Sequence, residues 1–304
     1  MNLKDARNKT LHIKYFRERG QETLIDLQRE IGSRNYKELA SAINKTAKQS
    51  ATNVLNSILS EAIASNWTRT EMTEAILAST YASYIAMLEL RNEIRPYEYM
   101  DFSRRIGELW EGFIRIIFDH APSGLNYFIP PLFTDVKSGL KQEITDYIFK
   151  LPIDDVQKAE LINYYQKVWL LVDSGEINLE LDLHFELAEK RINVDLKSGF
   201  GSNEKGNTNR LLMVATIYKN LESNYSNYLL VRSPEEQNNN YFRKLRDSGV
   251  WEAYCGKDAY KKMYEFTGFN INEWIHSNID WQSDLATETL NHFQSSNLLS
   301  YLEW

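Results

Sequence analysis

Apolar side chains recur at spacings of three and four along most of residues 21–121. This period places them on one face of a helix, as in TEAILASTYASYIAMLELRNEI and RRIGELWEGFIRIIFDHA, which Pro96 separates. The stretch APSGLNYFIPP, residues 121–131, breaks the pattern, and two further helical patterns follow near 135–149 and 153–166. The first half of the chain is therefore predicted to be helical.

Polar and apolar positions alternate from Lys167 onward, in VWLLVDSGEINLELDLHFELAEKRINVDLKSGF. A period of two predicts strands, and both DSGE and the segment around AEK are typical of turns. Helical spacing returns at 209–221, buried strands are predicted at 227–233 and 250–255, and the C-terminal tail is again helical. The predicted fold is α/β, with a mixed sheet core flanked by helices and a largely helical N-terminal half.

The change of pattern divides the chain into two predicted parts. Residues 1–121 form a helical region, and residues 122–304 form the sheet core with its C-terminal helices. No internal repeat or low-complexity linker marks the boundary, so the two parts are either separate domains or one continuous domain.

Composition narrows the compartment and the partners. The single cysteine, Cys255, excludes an intramolecular disulfide framework and a Cys-rich zinc site, and it favours a reducing, cytoplasmic compartment. No apolar run approaches the roughly 20 residues that a membrane helix needs, so no membrane span is expected. The net charge of −7 argues against a uniformly basic nucleic-acid surface but leaves room for a local basic channel.

Polar residues of two predicted strands fall on one face of a hairpin. Asp182 and His184 occupy alternating positions of the first strand, and Asp195 and Lys197 occupy alternating positions of the returning strand. Residues i and i+2 of a strand point to the same side, so the hairpin is expected to bring Asp182 close to Asp195 and Lys197. An ordinary solvated strand face is the alternative interpretation.

Two carboxylates and an ammonium group define the chemistry of this face. The carboxylates repel each other unless a cation lies between them. Oxygen ligands from few protein groups suit Mg²⁺, which keeps several waters and accepts phosphate oxygens as further ligands. The lysine can hold or deprotonate an attacking water and offset charge on a pentavalent phosphorane. Together these groups suit metal-assisted hydrolysis of a phosphodiester.

The spacing of these residues resembles the signature of the PD-(D/E)xK nucleases, whose core is a hairpin followed by a helix and further strands. Asp182 is followed thirteen residues later by Asp195, with Lys197 two positions beyond, and Leu181 stands where the signature has proline. The resemblance covers about Lys167 to Ser233. It implies a restriction-endonuclease-like core with Asp182 and Asp195 as Mg²⁺ ligands and Lys197 as the catalytic lysine.

An acidic residue two positions before a lysine is weak evidence for a nuclease site on its own, since Asp135 and Lys137 have the same spacing in this chain. That second triplet lies in a helical pattern without a preceding acidic strand. It is therefore predicted to lie on the surface.

Further carboxylates are implied by the same resemblance, because members of the family often take one from a helix ahead of the sheet. Glu111, among Trp110 and Phe113, is the first candidate for a catalytic role, and Glu108 is the alternative. Glu180 shares the predicted polar face and is an alternative to Asp182. Solvated acids on a packing helix explain Glu108 and Glu111 equally well.

The loop GFGSNEKGNTNR, which follows Lys197, is rich in groups that contact phosphates or base edges. A flexible solvent loop is the alternative, and Ser198 alone has a further alternative role in satisfying the backbone. The predicted DNA contacts are Ser198, Ser202, Asn203, Lys205, Asn207 and Arg210.

The resemblance favours a type II restriction endonuclease, because the motif is central in a chain with a helical front and no partner domain. The expected activity is Mg²⁺-dependent, sequence-specific cleavage of double-stranded DNA by a homodimer, with the N-terminal helices as dimer interface and DNA-contacting region. A separate DNA methyltransferase is the expected companion of such an enzyme. The alternatives are a structure- or damage-specific nuclease with the same core and a non-catalytic DNA-binding protein.

Overall fold

Long helices account for most of the N-terminal half. The computed structural model describes residues 2–32, 34–172, 177–201, 205–221 and 224–304. Among these residues, no helix is apolar over enough length to cross a membrane. The helices of this half are α1 (Leu3–Ala6), α2 (Lys9–Ile31), α3 (Tyr36–Ala64), α4 (Arg69–Ile94) and α5 (Tyr99–Asp119).

Helix α4 is the centre of this helical half, and its start is fixed by a reciprocal cap. The Thr68 side chain accepts a hydrogen bond from the backbone N–H of Glu71, while the Glu71 carboxylate accepts one from the Thr68 backbone. Its small and apolar residues are buried on nearly all sides, against α2, α3 and α5. Helix α5, in contrast, is amphipathic. Its apolar side packs into the core, and its polar side includes Glu108 and Glu111.

A five-stranded mixed sheet forms the second half, in agreement with the α/β prediction. The strands are β1 (Asn126–Tyr127), β2 (Leu183–Leu187), β3 (Lys190–Lys197), β4 (Tyr225–Val231) and β5 (Glu252–Cys255), and they lie side by side in that order. The pairs β1–β2 and β2–β3 are antiparallel, whereas β3–β4 and β4–β5 are parallel.

The β2–β3 hairpin turns at Ala188 and Glu189, where a turn was predicted. Both residues have positive φ angles, 48° and 64°, which is typical of the two-residue type I′ turn that matches the twist of paired strands. The register then pairs Leu183 with Val194. Continuing this register by one residue brings Asp182 opposite Asp195.

Helices complete the two parallel connections and the C-terminal region. Helix α8 (Lys205–Asn220) joins β3 to β4, and α9 (Asn240–Arg246) joins β4 to β5. Two helices between β1 and β2 form a hairpin, α6 (Phe133–Lys150) and α7 (Asp155–Val172). The chain ends with α10 (Gly256–Thr267), α11 (Ile271–Asn278), α12 (Trp281–Asp284) and α13 (Thr287–Ser295), and 3₁₀ turns lie at Glu235–Gln237 and Leu299–Leu302.

Both faces of the sheet are covered. Leu183, Val194 and Leu196 pack toward α5 and α10, in an apolar cluster that also includes residues of α2, α4 and α13. The opposite face packs on α8, through Leu229 and Val231. The first of these clusters crosses the predicted boundary between residues 121 and 122, and the hairpin lies between two layers.

The alternative interpretation of the hairpin, a solvated polar face, is wrong. Asn193 is 0% exposed, Asp195 1% and His184 6%. Helix α8 covers this side of the sheet, because a parallel β3–β4 connection needs a crossover helix that packs against the sheet. Polar residues on this face must therefore be satisfied inside the protein.

The predicted start of the sheet near Lys167 is also wrong, since residues up to Val172 belong to α7. A short apolar run such as VWLLV has no period that separates a strand from the end of a helix. The predicted turn at DSGE falls on residues 173–176, outside the described residues. Strand β2 starts only at Leu183, so Glu180 and Asp182 precede it.

Candidate active site

Asp195 is the most deeply buried acid of the hairpin. The Lys197 Nζ lies 3.2 Å from its Oδ2, and Arg210 Nη2 lies 3.9 Å from its Oδ1. Asp195 Oδ2 is fully buried, with the Lys197 ammonium beside it. Burial raises the pKa of Asp195 to about 6, although Lys197 opposes this rise. A buried carboxylate oxygen beside one ammonium group still has lone pairs that can accept further bonds.

Asp182 lies beside Asp195, as the hairpin was expected to place it. Its Oδ2 accepts a hydrogen bond of 2.6 Å from the backbone N–H of Leu196, the residue between Asp195 and Lys197. This bond holds the Asp182 carboxylate against β3 although Asp182 itself lies before β2. The backbone N–H of Leu196 thus holds the carboxylate of Asp182, one predicted metal ligand, next to Asp195, the other.

Lys197 is the last residue of β3, and its side chain is 20% exposed. Burial lowers the pKa of an ammonium group, but here the carboxylates of Asp195, Asp182 and Glu111 outweigh burial and leave the Lys197 pKa above its usual value. Lys197 is therefore a charged ammonium facing three acids.

The two candidate acids of α5 are in different places. Glu111 is half-buried, and burial raises its pKa to about 7, with Lys197 opposing and Asp182 and Asp195 adding to the rise. Glu108 instead pairs with Arg105 at 2.9 Å on the more exposed side. Glu111 therefore belongs to the cluster around Lys197, and Glu108 lies at its edge.

The cluster carries an excess of negative charge. Glu111, Asp182 and Asp195 contribute three carboxylates against the ammonium of Lys197, and Arg210 approaches only one oxygen of Asp195. Among the described residues, no three His, Cys, Asp or Glu side chains converge closely enough to hold a metal ion by themselves. The donor set nevertheless fits Mg²⁺, which is commonly held by one or two carboxylates with water and phosphate oxygens completing its shell.

Unlike Asp182, Glu180 does not place its side chain in this cluster. Glu180 is exposed, and its backbone carbonyl accepts a hydrogen bond of 3.3 Å from the Arg210 side chain. Glu180 therefore contributes through its backbone, by holding the arginine that approaches Asp195.

A series of buried, hydrogen-bonded polar side chains lies under the site, and the sequence did not indicate it. His184 Nε2 accepts a hydrogen bond from the Leu181 N–H (2.9 Å), so its Nδ1 carries the proton and donates to Asn193 Oδ1 (2.8 Å). Asn193 Nδ2 in turn donates to Asn227 Oδ1 on β4 (2.9 Å). Burial lowers the pKa of His184, which agrees with this neutral tautomer. The His184 ring fixes the segment that leads into Asp182.

Replacing His184 with leucine is expected to lower the free energy of unfolding by roughly 2–6 kcal/mol. The Leu181 N–H and Asn193 Oδ1 lose their partner, and each buried unpaired polar group costs about 1–3 kcal/mol. Urea denaturation followed by circular dichroism measures the change. His276→Leu, at an exposed position of α11, is the matched control, and an equal loss in both variants would contradict a special role for His184.

The loop that follows Lys197 is tied to the end of β4. The carbonyl of Ser198 accepts hydrogen bonds from the Ser233 N–H (3.1 Å) and from its hydroxyl (2.7 Å). The Asn238 side chain accepts from the Phe200 N–H and donates to the Ser233 carbonyl. These bonds fix the direction in which the chain leaves the site.

The predicted DNA contacts occupy different parts of this loop and of α8. Ser198 lies beside Gly107 of α5, Lys205 and Asn207 lie in the first turn of α8, and Arg210 reaches Asp195. Ser202 and Asn203 lie outside the described residues. Among the predicted contacts that the structure describes, Arg210 reaches the acidic cluster, through Asp195.

Replacing Gly199 with alanine is expected to cost about 1–3 kcal/mol of stability. A Cβ there would lie 2.7 Å from the Ser233 hydroxyl, which is held by its bond to Ser198, so the loop must shift. Gly201→Ala is the control, because a Cβ at that position meets nothing within 4 Å. Thermal unfolding of both variants measures the effect, and a Gly199→Ala protein as stable as Gly201→Ala would contradict the tight loop.

Comparison with known proteins gives no relative for this chain: no family model, no curated protein and no solved structure matches it. The function of this protein is therefore inferred from the geometry of the site itself.

Proposed function

We propose that this protein is a Mg²⁺-dependent endonuclease that hydrolyses phosphodiester bonds in double-stranded DNA, of the type II restriction class. The observation that carries the proposal is the approach of Asp182, Asp195 and Lys197 at the open end of the β2–β3 hairpin, with the Asp195 carboxylate buried beside the Lys197 ammonium. Carboxylates that lie close together and are buried are costly to the fold, and such perturbed groups are typical of functional sites.

The residues of the chain have separate tasks in this proposal. Asp182 and Asp195 would hold the divalent ion, Asp182 oriented by the Leu196 N–H. The bound ion supplies charge stabilisation to the phosphoryl group during hydrolysis. Lys197, kept protonated by the acids around it, orients the attacking water and offsets charge on the phosphoryl oxygens. Glu111, with its raised pKa, is suited to exchange a proton near neutral pH.

The order of elements also supports the proposal. The hairpin β2–β3 is followed by helix α8 and by the strands β4 and β5, which is the order that the PD-(D/E)xK resemblance implies. The acidic pair and the lysine lie at the end of β3 from which the chain leaves toward α8. Ligand and substrate sites are commonly found at the carboxyl ends of parallel strands.

Digestion of plasmid DNA tests the proposed class. Incubation with Mg²⁺ is expected to give discrete fragments whose ends map to one sequence, because a sequence-specific enzyme cuts at fixed positions. A smear, or nicks confined to junctions or damaged bases, would favour the structure-specific alternative. Retarded migration of DNA without any cut product would favour a DNA-binding protein. A methyltransferase that protects the same sequence is the expected companion.

A further inference from the structure

The hairpin of α6 and α7 exposes an unusual amount of apolar surface. It is fastened to the body at its base, where Phe133 and Val136 pack beside the cluster that includes α8. Within the hairpin, Tyr165 donates to the Leu140 carbonyl and Lys141 lies over the Trp169 ring. The exposed large apolar side chains between residues 129 and 168 are Ile129, Leu132, Tyr147, Phe149, Val156, Leu161, Tyr164 and Val168.

Three of these side chains form a stripe on α7. Leu161, Tyr164 and Val168 are 42%, 64% and 57% exposed, and their spacing of three and four places them on one side of the helix. This is the spacing of the a and d positions of a coiled coil, which pair with a like stripe on another helix. Contiguous exposed apolar patches of this kind mark interaction sites.

Charge indicates that the partner is a second copy of the chain. The charged residues of α6 and α7 are Asp135, Lys137, Lys141, Glu143, Asp146, Lys150, Asp155, Lys158, Glu160 and Lys167, so five cations balance five anions. With Asp154 of the connecting turn, the hairpin has a net charge of −1 in a chain of net charge −7, so two copies can meet there with little of the repulsion that the chain as a whole would produce. A nearly neutral surface has no complementarity to DNA.

The positions of Glu160 and Lys167 set the direction of pairing. Both are exposed and both immediately precede a stripe residue, Leu161 or Val168, which is the flanking position that forms ion pairs between coiled-coil helices. If two α7 helices run antiparallel about a two-fold axis near Tyr164, Glu160 of each copy lies opposite Lys167 of the other. In a parallel arrangement Glu160 would instead face Tyr165 of the other copy, which offers it no opposite charge.

The size of the hairpin is sufficient for such an interface. Each helix has 18 residues and is about 27 Å long, and two adjacent helices present a face roughly 20 Å wide. Two such faces, with α6 and α7 both in contact, amount to about 1,000 Å² in projection, the lower limit for a specific interface. The exposed apolar residues of α2, Leu11, Tyr15 and Ile25, belong to a helix already packed in the N-terminal bundle.

We propose that two copies of this protein associate through the Leu161–Tyr164–Val168 stripe, with their α7 helices antiparallel, and not through the N-terminal helices. The arrangement deepens the proposed function, because it would provide two active sites for the two strands of a duplex. It is measured without DNA or metal, so its failure and the failure of the nuclease proposal are distinguishable.

Sedimentation equilibrium of the full chain tests the interface. The parent is expected to be a dimer, and the triple variant Leu161→Gln/Tyr164→Gln/Val168→Gln is expected to be a folded monomer, with a dissociation constant raised at least about a hundredfold. The matched triple variant Leu11→Gln/Tyr15→Gln/Ile25→Gln on α2 is expected to remain a dimer. A monomeric parent, a dimeric α7 variant, or dissociation of the α2 variant alone would overturn the proposal. Circular dichroism confirms that each variant is folded.

A charge exchange tests the antiparallel register independently of folding. Glu160→Lys and Lys167→Glu, each alone, place like charges opposite each other in both symmetric pairs and are expected to weaken dimerisation about tenfold. The double variant Glu160→Lys/Lys167→Glu restores opposite charges and is expected to associate like the parent. A double variant no stronger than the single ones would contradict this pairing.

Discussion

The Asp195→Asn variant is expected to cleave DNA on the order of a thousandfold more slowly than the parent in Mg²⁺, with DNA affinity unchanged within a few-fold. Asparagine keeps the shape of the side chain but removes the charge that faces Lys197 at 3.2 Å. Loss of a metal-binding charge costs several kcal/mol of transition-state stabilisation, and each 1.36 kcal/mol is tenfold in rate. Single-turnover cleavage and a gel-shift titration measure the two quantities.

Asp135→Asn is the matched control for this variant. Asp135 also precedes a lysine by two residues, but it lies exposed in the first turn of α6, away from the hairpin. Its replacement is expected to leave cleavage within a factor of two. Equal rates in the parent and in Asp195→Asn would place the chemistry elsewhere.

The same Asp195→Asn change is expected to stabilise the metal-free protein by roughly 1–3 kcal/mol near neutral pH. Burial raises the folded pKa of Asp195 to about 6 from 3.8, and each unit corresponds to 1.36 kcal/mol. With a raised folded pKa, the contribution of Asp195 to stability is fully present below pH 3.8 and is lost as the pH rises through 6. The advantage of the variant over the parent is therefore expected to grow between about pH 4 and 6. A variant less stable than the parent at pH 7 would contradict this.

Lys197→Met is expected to abolish cleavage and, unlike Asp195→Asn, to destabilise the fold by about 3–5 kcal/mol. It leaves Glu111, Asp182 and Asp195 close together without the ammonium that they surround. Removing one partner of a buried ion pair leaves uncompensated buried charge, and this costs far more than the pair contributes. Denaturation in EDTA at pH 7.5 measures the loss of stability, and cleavage assays in Mg²⁺ measure the loss of activity.

Lys137→Met, in the second acidic triplet, is the control for Lys197→Met. It also removes one ammonium group, but from α6 and not from the acidic cluster. A loss of stability as large as that of Lys197→Met would mean that the effect comes from removing any lysine. Opposite stability changes for Asp195→Asn and Lys197→Met are the pattern that an excess of buried negative charge predicts.

Local sequence signals were sufficient to predict the acidic pair and its lysine. The turn at Ala188 and Glu189 fixes the register of two short strands, and the period of two then determines which residues share a side. The position of Asp182 beside Asp195 follows from these two facts. The mixed α/β class follows from the change of period, and it is confirmed.

The surroundings of the pair could not be predicted in this way, because they depend on distant parts of the chain. Helix α8 buries Asn193 and Asp195, and the partners of His184 come from β3 and from the segment before β2. The choice between Glu108 and Glu111 depends on how α5 crosses the end of β3, where Gly107 approaches Ser198. The spacing of apolar residues in the sequence does not show how this helix crosses the strand.

The metal dependence of cleavage tests the central claim most directly. Purified parent protein is incubated with plasmid DNA in EDTA and then in increasing Mg²⁺, and the rate of phosphodiester hydrolysis is measured. We expect no cleavage in EDTA, a rate that rises and saturates with Mg²⁺, and loss of this response in Asp182→Asn and Asp195→Asn. Cleavage that persists in EDTA, or a Mg²⁺ response that is the same in both variants as in the parent, would contradict the assignment of these carboxylates.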